Sequence, residues 1–424
     1  MTSVGSAAAA PPGQAAGPGR DKLALCLCGG GITGAMYELG ALAAIDDYFR
    51  PAYGERSPRP FDTTRFDIYI GISAGSYLAT ALCAGISPRR LAHAVLGDPL
   101  EQHLIPHHRT DMFRVEPLRA AAQGLRLSVA AARVLWSVAR GRRSLAELPV
   151  ELVRALPSGL FSLRPYHRYL ERFLRRHGIP ERLCDMPHEL YIPVNDLDTG
   201  HRAILGGPLA AAGGGPLAAA GGGPVGAFGS GPPGGLGGSL ADVGIAEAIC
   251  ASSAIPVWFE PVRIRGRDYV DGGTGRAEHV DVALRRGAKL VLCINPMVPF
   301  RHDPSAPEPH GGYLPGRPGH LAELGLLTVS DQAMRLSIKA RLHQGLRRCA
   351  AEYKDATILV LEPDEREADM FLANPMNFEV RAQILRYGYQ SAAAQLRARR
   401  NHFDEVCARF GLQGSVDRLR QIWP

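Results

Sequence analysis

Aromatic residues are scarce in this chain, 7% of 424 positions, and they are not interleaved with basic runs. With no zinc-finger, helix-turn-helix or RNP pattern either, nucleic acid is not an expected partner. Long apolar runs are missing too: none approaches the eighteen or more uninterrupted residues of a spanning helix. The opening MTSVGSAAAAPPGQAAGPGR lacks the basic start and Leu-rich middle of a secretory signal, so a cytoplasmic location is the expectation. No CxxC pair occurs among the eight cysteines. Cys26, Cys28, Cys83, Cys250 and Cys293 lie in apolar runs and read as reduced core residues rather than disulfides or metal ligands. The HLIPHH cluster, His103 to His108, has no carboxylate or Cys at ligand spacing and reads as a solvated loop. A net charge of +7 is mild for this length and suits an anionic surface such as a phospholipid headgroup layer.

Glycine is abundant, 49 residues, and it marks both the breaks and the chemistry. Residues 1–20, rich in Ala, Gly and Pro with little to bury, are expected to form a disordered tail. From Gly206 the chain reads GGPLAAAGGGPLAAAGGGPVGAFGSGPPGGLGG, a Gly-Gly-Pro triplet returning at Pro208, Pro216 and Pro224. Such a stretch opposes helix and strand alike and reads as a flexible insertion at 206–239, looping out of a domain that continues on both sides. The expected organisation is therefore a main domain over 21–300 carrying that insertion, a Pro/Gly-rich loop at 301–320, and a mainly helical region at 321–424 packing on the domain.

Between the breaks, short apolar runs at 23–28, 66–70, 189–194, 289–295 and 357–361 read as strands buried on both faces. Helix-like stretches follow several of them, notably 34–49, 75–85 and 242–251. Strand and helix in alternation predict an α/β fold, a largely parallel central sheet covered by helices on both faces in three layers, with functional residues at the carboxyl ends of strands.

Three glycine-marked sites fall where such a fold places chemistry. The first, CLCGGGITGAMYELGALAAI, carries a literal GxGxxG at Gly29, Gly31 and Gly34. A dinucleotide reading weakens downstream, because the acidic residue that should end a second strand is replaced by Asp46 and Asp47 at what looks like a helix end. Successive glycines before a helix can still present N–H groups to an anion, a phosphate or the oxyanion of a tetrahedral intermediate. The second, IYIGISAGSYLATALCAGI, sets Ser73 between Gly71 and Gly75 after a strand and before a helix, the context of a nucleophile on a tight turn. A plain turn with a capping serine is the competing reading. The third, RDYVDGGTG, sets Asp271 before Gly272 and Gly273; alone it reads as a turn, but a serine nucleophile needs a base.

In that order, GGGITG (29–34), GISAGS (71–76) and DGG (271–273) resemble the oxyanion loop, nucleophile elbow and Asp-Gly-Gly/Ala motif of the patatin-like phospholipases. ASSAIPVWFEPV (251–262) resembles the stretch before that family's aspartate strand, and NDLDTG (195–200) a polar turn after another strand. The resemblance spans about residues 22–300. It implies a Ser-Asp dyad acting through an acyl-enzyme on lipid esters, phospholipids or lysophospholipids foremost, with Ser73 as nucleophile, Asp271 as base and the N–H groups of Gly29, Gly30 and Gly31 as oxyanion donors. It implies no metal, nucleotide or other cofactor. One departure is Thr33, where many members carry a basic residue. The alternatives are an acyltransferase or esterase on other esters, a silent lipid-binding scaffold, a nucleotide-binding oxidoreductase, and a triad recruiting His279, His310, His320 or His343.

A membrane contact is a separate expectation. In PLRAAAQGLRLSVAAARVLWSVAR, residues 117–140, Arg119, Arg126, Arg133 and Arg140 recur every seven residues, drifting only about 20° per step on a helix. Leu118, Leu125, Val129 and Trp136 form a second stripe beside them, and Leu127, Val134 and Val138 lie on the other side. Such a helix suits a headgroup layer with snorkelling arginines, or a core helix with one solvated edge. The sequence is silent on oligomeric state.

Overall fold

The computed structural model describes residues 21–51, 61–106, 109–112, 117–141, 156–208, 240–275, 279–302, 320–367, 370–371 and 377–419. The expected tail, nearly all of the 206–239 insertion and most of the 301–320 loop lie outside the described residues.

The first half of the chain contributes β1 (Lys22–Leu27), α1 (Gly31–Phe49), β2 (Ile68–Gly71), α2 (Ala74–Cys83), α3 (Pro88–Val95), α4 (Pro117–Ala139), β3 (Gly159–Phe161), α5 (Arg164–His177), β4 (Glu189–Asp196) and β5 (Arg202–Gly206). After the insertion come α6 (Ile245–Ser252), β6 (Val257–Phe259), β7 (Val262–Ile264), β8 (Arg267–Asp271), α7 (Val280–Arg285), β9 (Ala288–Ile294), α8 (Leu326–Glu352), β10 (Thr357–Leu361), α9 (Arg381–Ala398) and α10 (Arg400–Arg409). The five apolar runs of the sequence are β1, β2, β4, β9 and β10, and they form the parallel part of the sheet in the order β10-β9-β1-β2-β4. Antiparallel β5, β7 and β8 complete the eight strands; β3 and β6 pair apart from it.

The pleat divides the core. Leu23, Leu25 and Leu27 of β1 join the large cluster that includes residues of α1, α2, α3, α5, α6, α9 and α10. Ala24, Cys26 and Cys28 turn the other way, into a smaller cluster with α7 and Cys349 of α8. Sheet and two helical layers make the three-layer α/β architecture that strand and helix alternation predicts. All eight cysteines are free; the thiols of Cys26, Cys28 and Cys293 lie within 4.8 Å of one another in the smaller cluster.

Helix α1 is apolar almost all round because it is buried almost all round. It crosses α9 at two glycines: a Cβ on Gly40 would lie 2.1 Å from the Leu385 carbonyl oxygen, and one on Gly388 would lie 2.4 Å from that of Tyr37. Backbone contact at this crossing fixes the helix that carries the glycine-rich loop.

The pairing around β4 positions the site. Tyr191 is flanked by Ile70 of β2 and Gly206 of β5, and Val194 by Asp271 of β8 and Ala203 of β5. A strand has two edges, so β2 and β8 share the one opposite β5. β2 runs parallel to β4 and β8 runs antiparallel, so their carboxyl ends point at each other near Pro193.

Candidate active site

Ser73 follows β2 at this meeting point and Asp271 ends β8. Ser73 has φ 52° and ψ −130°, a conformation rare for any residue with a side chain. The turn is held by short-range bonds, Gly75 N–H to the Ile72 carbonyl at 2.8 Å and Ser76 N–H to the Ser73 carbonyl at 2.9 Å. The flanking glycines leave no room for a side chain: a Cβ on Gly71 would stand 2.5 Å from Ser76 Cα, and one on Gly75 would stand 2.9 Å from the Leu27 carbonyl oxygen.

A residue not singled out in the sequence completes the support. Ser252 Oγ accepts the Ser73 N–H at 2.9 Å and donates to the Pro193 carbonyl at 2.8 Å, tying the turn to β4. Its signal was the ASSAIP segment, whose Ala254 carbonyl also accepts the Asp271 N–H at 3.1 Å.

The Asp271 carboxyl is buried, and Oδ1 accepts the Gly273 N–H at 2.8 Å. Burial pushes it up to about 6, against the lowering influence of the Ser73 hydroxyl it faces and of that N–H. Asn195, in the NDLDTG segment, donates from Nδ2 to the carbonyls of Asp271 and Gly272 at 2.9 and 3.1 Å, clamping the turn. Gly272 sits on β4, where a Cβ would lie 2.3 Å from the Pro193 carbonyl oxygen. Arg341 of α8 donates to the Thr274 carbonyl at 2.8 Å.

The glycine-rich loop comes alongside. Gly29, Gly30 and Gly31 all have positive φ, 76°, 106° and 68°, and Gly34 packs against Gly29, whose carbonyl oxygen would be 2.2 Å from a Cβ there. The expectation of three outward donors meets a difference at Gly29: its N–H donates inward to Glu38 Oε1 at 2.7 Å. Among the described residues the N–H groups of Gly30 and Gly31 have no acceptor, and they stand at the start of α1, the positive end of its dipole. Thr33 is buried.

His279 is buried, with Nε2 3.4 Å from the Gly272 carbonyl oxygen and Nδ1 3.2 Å from Arg202 Nη1. His320 and His343 are exposed and His310 lies outside the described residues. His103 stacks on His177 with ring centroids 4.9 Å apart; His107 and His108 lie outside the described residues. Asp46 and Asp47 sit near the end of α1, and Asp47 pairs with Arg89 at 2.6 Å, a structural role.

Helix α4 rests on Val134, which is buried, while Leu125, Val129, Leu135 and Trp136 face solvent. The Arg140 guanidinium lies 3.5 Å from the centre of the Trp136 ring. A second exposed apolar stretch, Leu326, Leu327, Val329, Met334 and Leu336, opens α8 and was not anticipated. Among the described residues no helix is long and apolar enough to cross a membrane.

A family model described as patatin-like phospholipase matches residues 25–203 and 235–284, and the gap between the two parts falls on the Gly-Gly-Pro repeat. No curated protein matches the chain. Among solved structures, the crystal structure of VipD from Legionella pneumophila is similar at 14% identity, with a TM-score of 0.31, over 90% of this chain and 67% of that one.

Proposed function

Because the chain belongs to the patatin-like phospholipase family, we propose that it hydrolyses acyl esters of lipids, phospholipids or lysophospholipids foremost, through a Ser73-Asp271 dyad. The observation that carries the reading is the meeting of β2 and β8 end to end on one edge of β4, which sets a strained serine against a buried carboxylate beside free loop N–H groups.

In this mechanism Ser73 Oγ attacks the ester carbonyl as Asp271 takes its proton, and the carbonyl oxygen becomes an oxyanion held by the Gly30 and Gly31 N–H groups. One such donor is worth about 3 kcal/mol of barrier. Collapse breaks the bond to the alcohol, which leaves with the proton from Asp271, and water then clears the acyl-enzyme by the same steps. A carboxyl near 6 is ionised at neutral pH yet basic enough to accept the proton.

Product analysis by mass spectrometry after incubation with mixed phospholipid vesicles tests this. Free fatty acid and lysolipid that disappear with Ser73→Ala and with Asp271→Asn are expected. Unchanged product from either variant refutes the dyad, and a wild type inert toward both vesicles and a fluorophosphonate probe refutes the hydrolase.

Peripheral contact of 117–140 with an anionic membrane is part of the same proposal. The exposed Leu125, Val129 and Trp136, with the Arg140 guanidinium over the indole, favour it over a core helix with one wet edge.

A further inference from the structure

Glu38 is an anomaly in α1: a carboxyl with no exposed surface in a helix otherwise made of apolar and small residues over its first four turns. A buried carboxylate without a cation is costly, so such a residue persists where it holds something. Its Oε1 accepts the Gly29 N–H at 2.7 Å. Its Oε2 is buried and without a hydrogen-bond partner, and it lies against Gly75, where a Cβ would stand 3.0 Å away. Gly29 opens the glycine-rich loop and Gly75 lies in the first turn after Ser73. One side chain therefore touches both motifs, and Gly75 leaves the room in which it does so.

We propose that Glu38 is a positioning residue for the acyl transfer: by holding the Gly29 N–H inward against the base of the serine turn, it fixes where the Gly30 and Gly31 N–H groups stand relative to Ser73 Oγ. Three successive glycines restrain their own φ and ψ poorly, so the loop's conformation depends on contacts from outside it, and the Glu38 carboxyl is the acceptor of its Gly29 N–H. If the Gly29 peptide rotated outward, the two following N–H groups would turn with it, and donors misplaced by an ångström stabilise an oxyanion poorly. The inference rests on the reading of Ser73 and the glycine loop given above.

Burial favours the neutral form of Glu38. Burial drives its carboxyl well above the ordinary range, against the lowering influence of the Gly29 N–H. Glu38→Gln, which keeps the carbonyl oxygen and replaces the hydroxyl by an amide, is then a faithful substitute. Glu38→Met fills the same space without an acceptor.

The experiment compares wild type, Glu38→Gln and Glu38→Met in hydrogen exchange of the 28–31 segment, in the rate of Ser73 labelling by a fluorophosphonate, and in kcat and KM on a lipid ester. The glutamine variant is expected to keep exchange protection and to label within about threefold of wild type. The methionine variant is expected to lose protection and to label and turn over about thirtyfold slower or worse, with KM little changed. Rapid labelling by the methionine variant, or a glutamine variant as slow as the methionine one, overturns the proposal. Should the methionine variant not fold, Glu38→Asp, one methylene too short to reach Gly29, gives the same comparison. If wild type neither labels nor turns over, the hydrolase reading fails by itself. Exchange then still decides: protection lost only without the acceptor upholds the bracket, and equal exchange in all variants removes it.

Discussion

Gly29 lies directly against Ser73: a Cβ built on it would stand 3.0 Å from the Ser73 Cβ and 2.3 Å from the Ile72 carbonyl oxygen. The glycine-rich loop and the serine turn are thus in backbone contact, and Gly29→Ala combines that clash with a φ of +76°. We expect a loss of about 2–4 kcal/mol in unfolding free energy. Activity should fall by about a hundredfold or more even at temperatures where the variant is folded. Chemical denaturation with kinetics on the folded fraction checks both.

Under the proposed dyad, the Asp271 carboxyl sets an acid limb. The base must be ionised, so kcat/KM should rise with pH, reach half its plateau near 6 and fall tenfold per unit below. A pH profile that stays flat down to 5 contradicts the assignment.

The same carboxyl bears on stability with the opposite sign to a surface aspartate. Its folded value lies above the unfolded one, so it favours folding fully below about 4, and this contribution is lost as pH rises to about 6. Asp271→Asn keeps the neutral shape and should therefore be more stable than wild type at pH 8, on the order of 2 kcal/mol, with the difference vanishing toward pH 4. Melting curves of the pair across this range measure it.

Ser252→Ala removes the acceptor of the Ser73 N–H and the donor to Pro193. A cost of about 1–3 kcal/mol is expected from the groups left unpaired. Because Ser252 bonds the backbone of the turn and of β4, kcat should drop about tenfold or more with KM nearly unchanged. Equal kcat in variant and wild type would show that the turn holds itself.

On α4, Leu125→Glu with Trp136→Glu replaces exposed apolar side chains by charge. Each buried apolar side chain is worth about 1.5–3 kcal/mol, so binding to phosphatidylglycerol vesicles in a sedimentation assay should weaken by about tenfold or more. Hydrolysis of a soluble ester should be untouched. Unaltered vesicle binding would assign the stripe another purpose.

What could be read from the sequence follows the strength of local signals. The five parallel strands are apolar runs buried on both faces, and Ser73 and Asp271 announce themselves by the glycines that crowding demands beside them. β7 and β8 were less legible, since VRIRGRDYVD mixes Arg and Asp with its apolar residues and its pairing with β4 depends on a partner some seventy residues away. The inward turn of the Gly29 N–H was not legible at all, because GGG specifies freedom rather than direction; the direction comes from Glu38, nine residues further on. A lone glutamate among Ala, Leu and Gly was the available clue. The exposed face of α4 could not be told from a buried one, for the same stripes serve both.

The head-on arrangement at Pro193 also orders events during synthesis. The Ser73 N–H is anchored by a hydroxyl 179 residues later in the chain, and the carboxylate it faces is translated later still. A strained residue keeps its conformation only when its surroundings enforce it, and contacts so distant in sequence form slowly. A nascent chain that has emerged only as far as β5 lacks both Ser252 and Asp271, so the Ser73 turn has neither its anchor nor the carboxyl it faces until β8 is made.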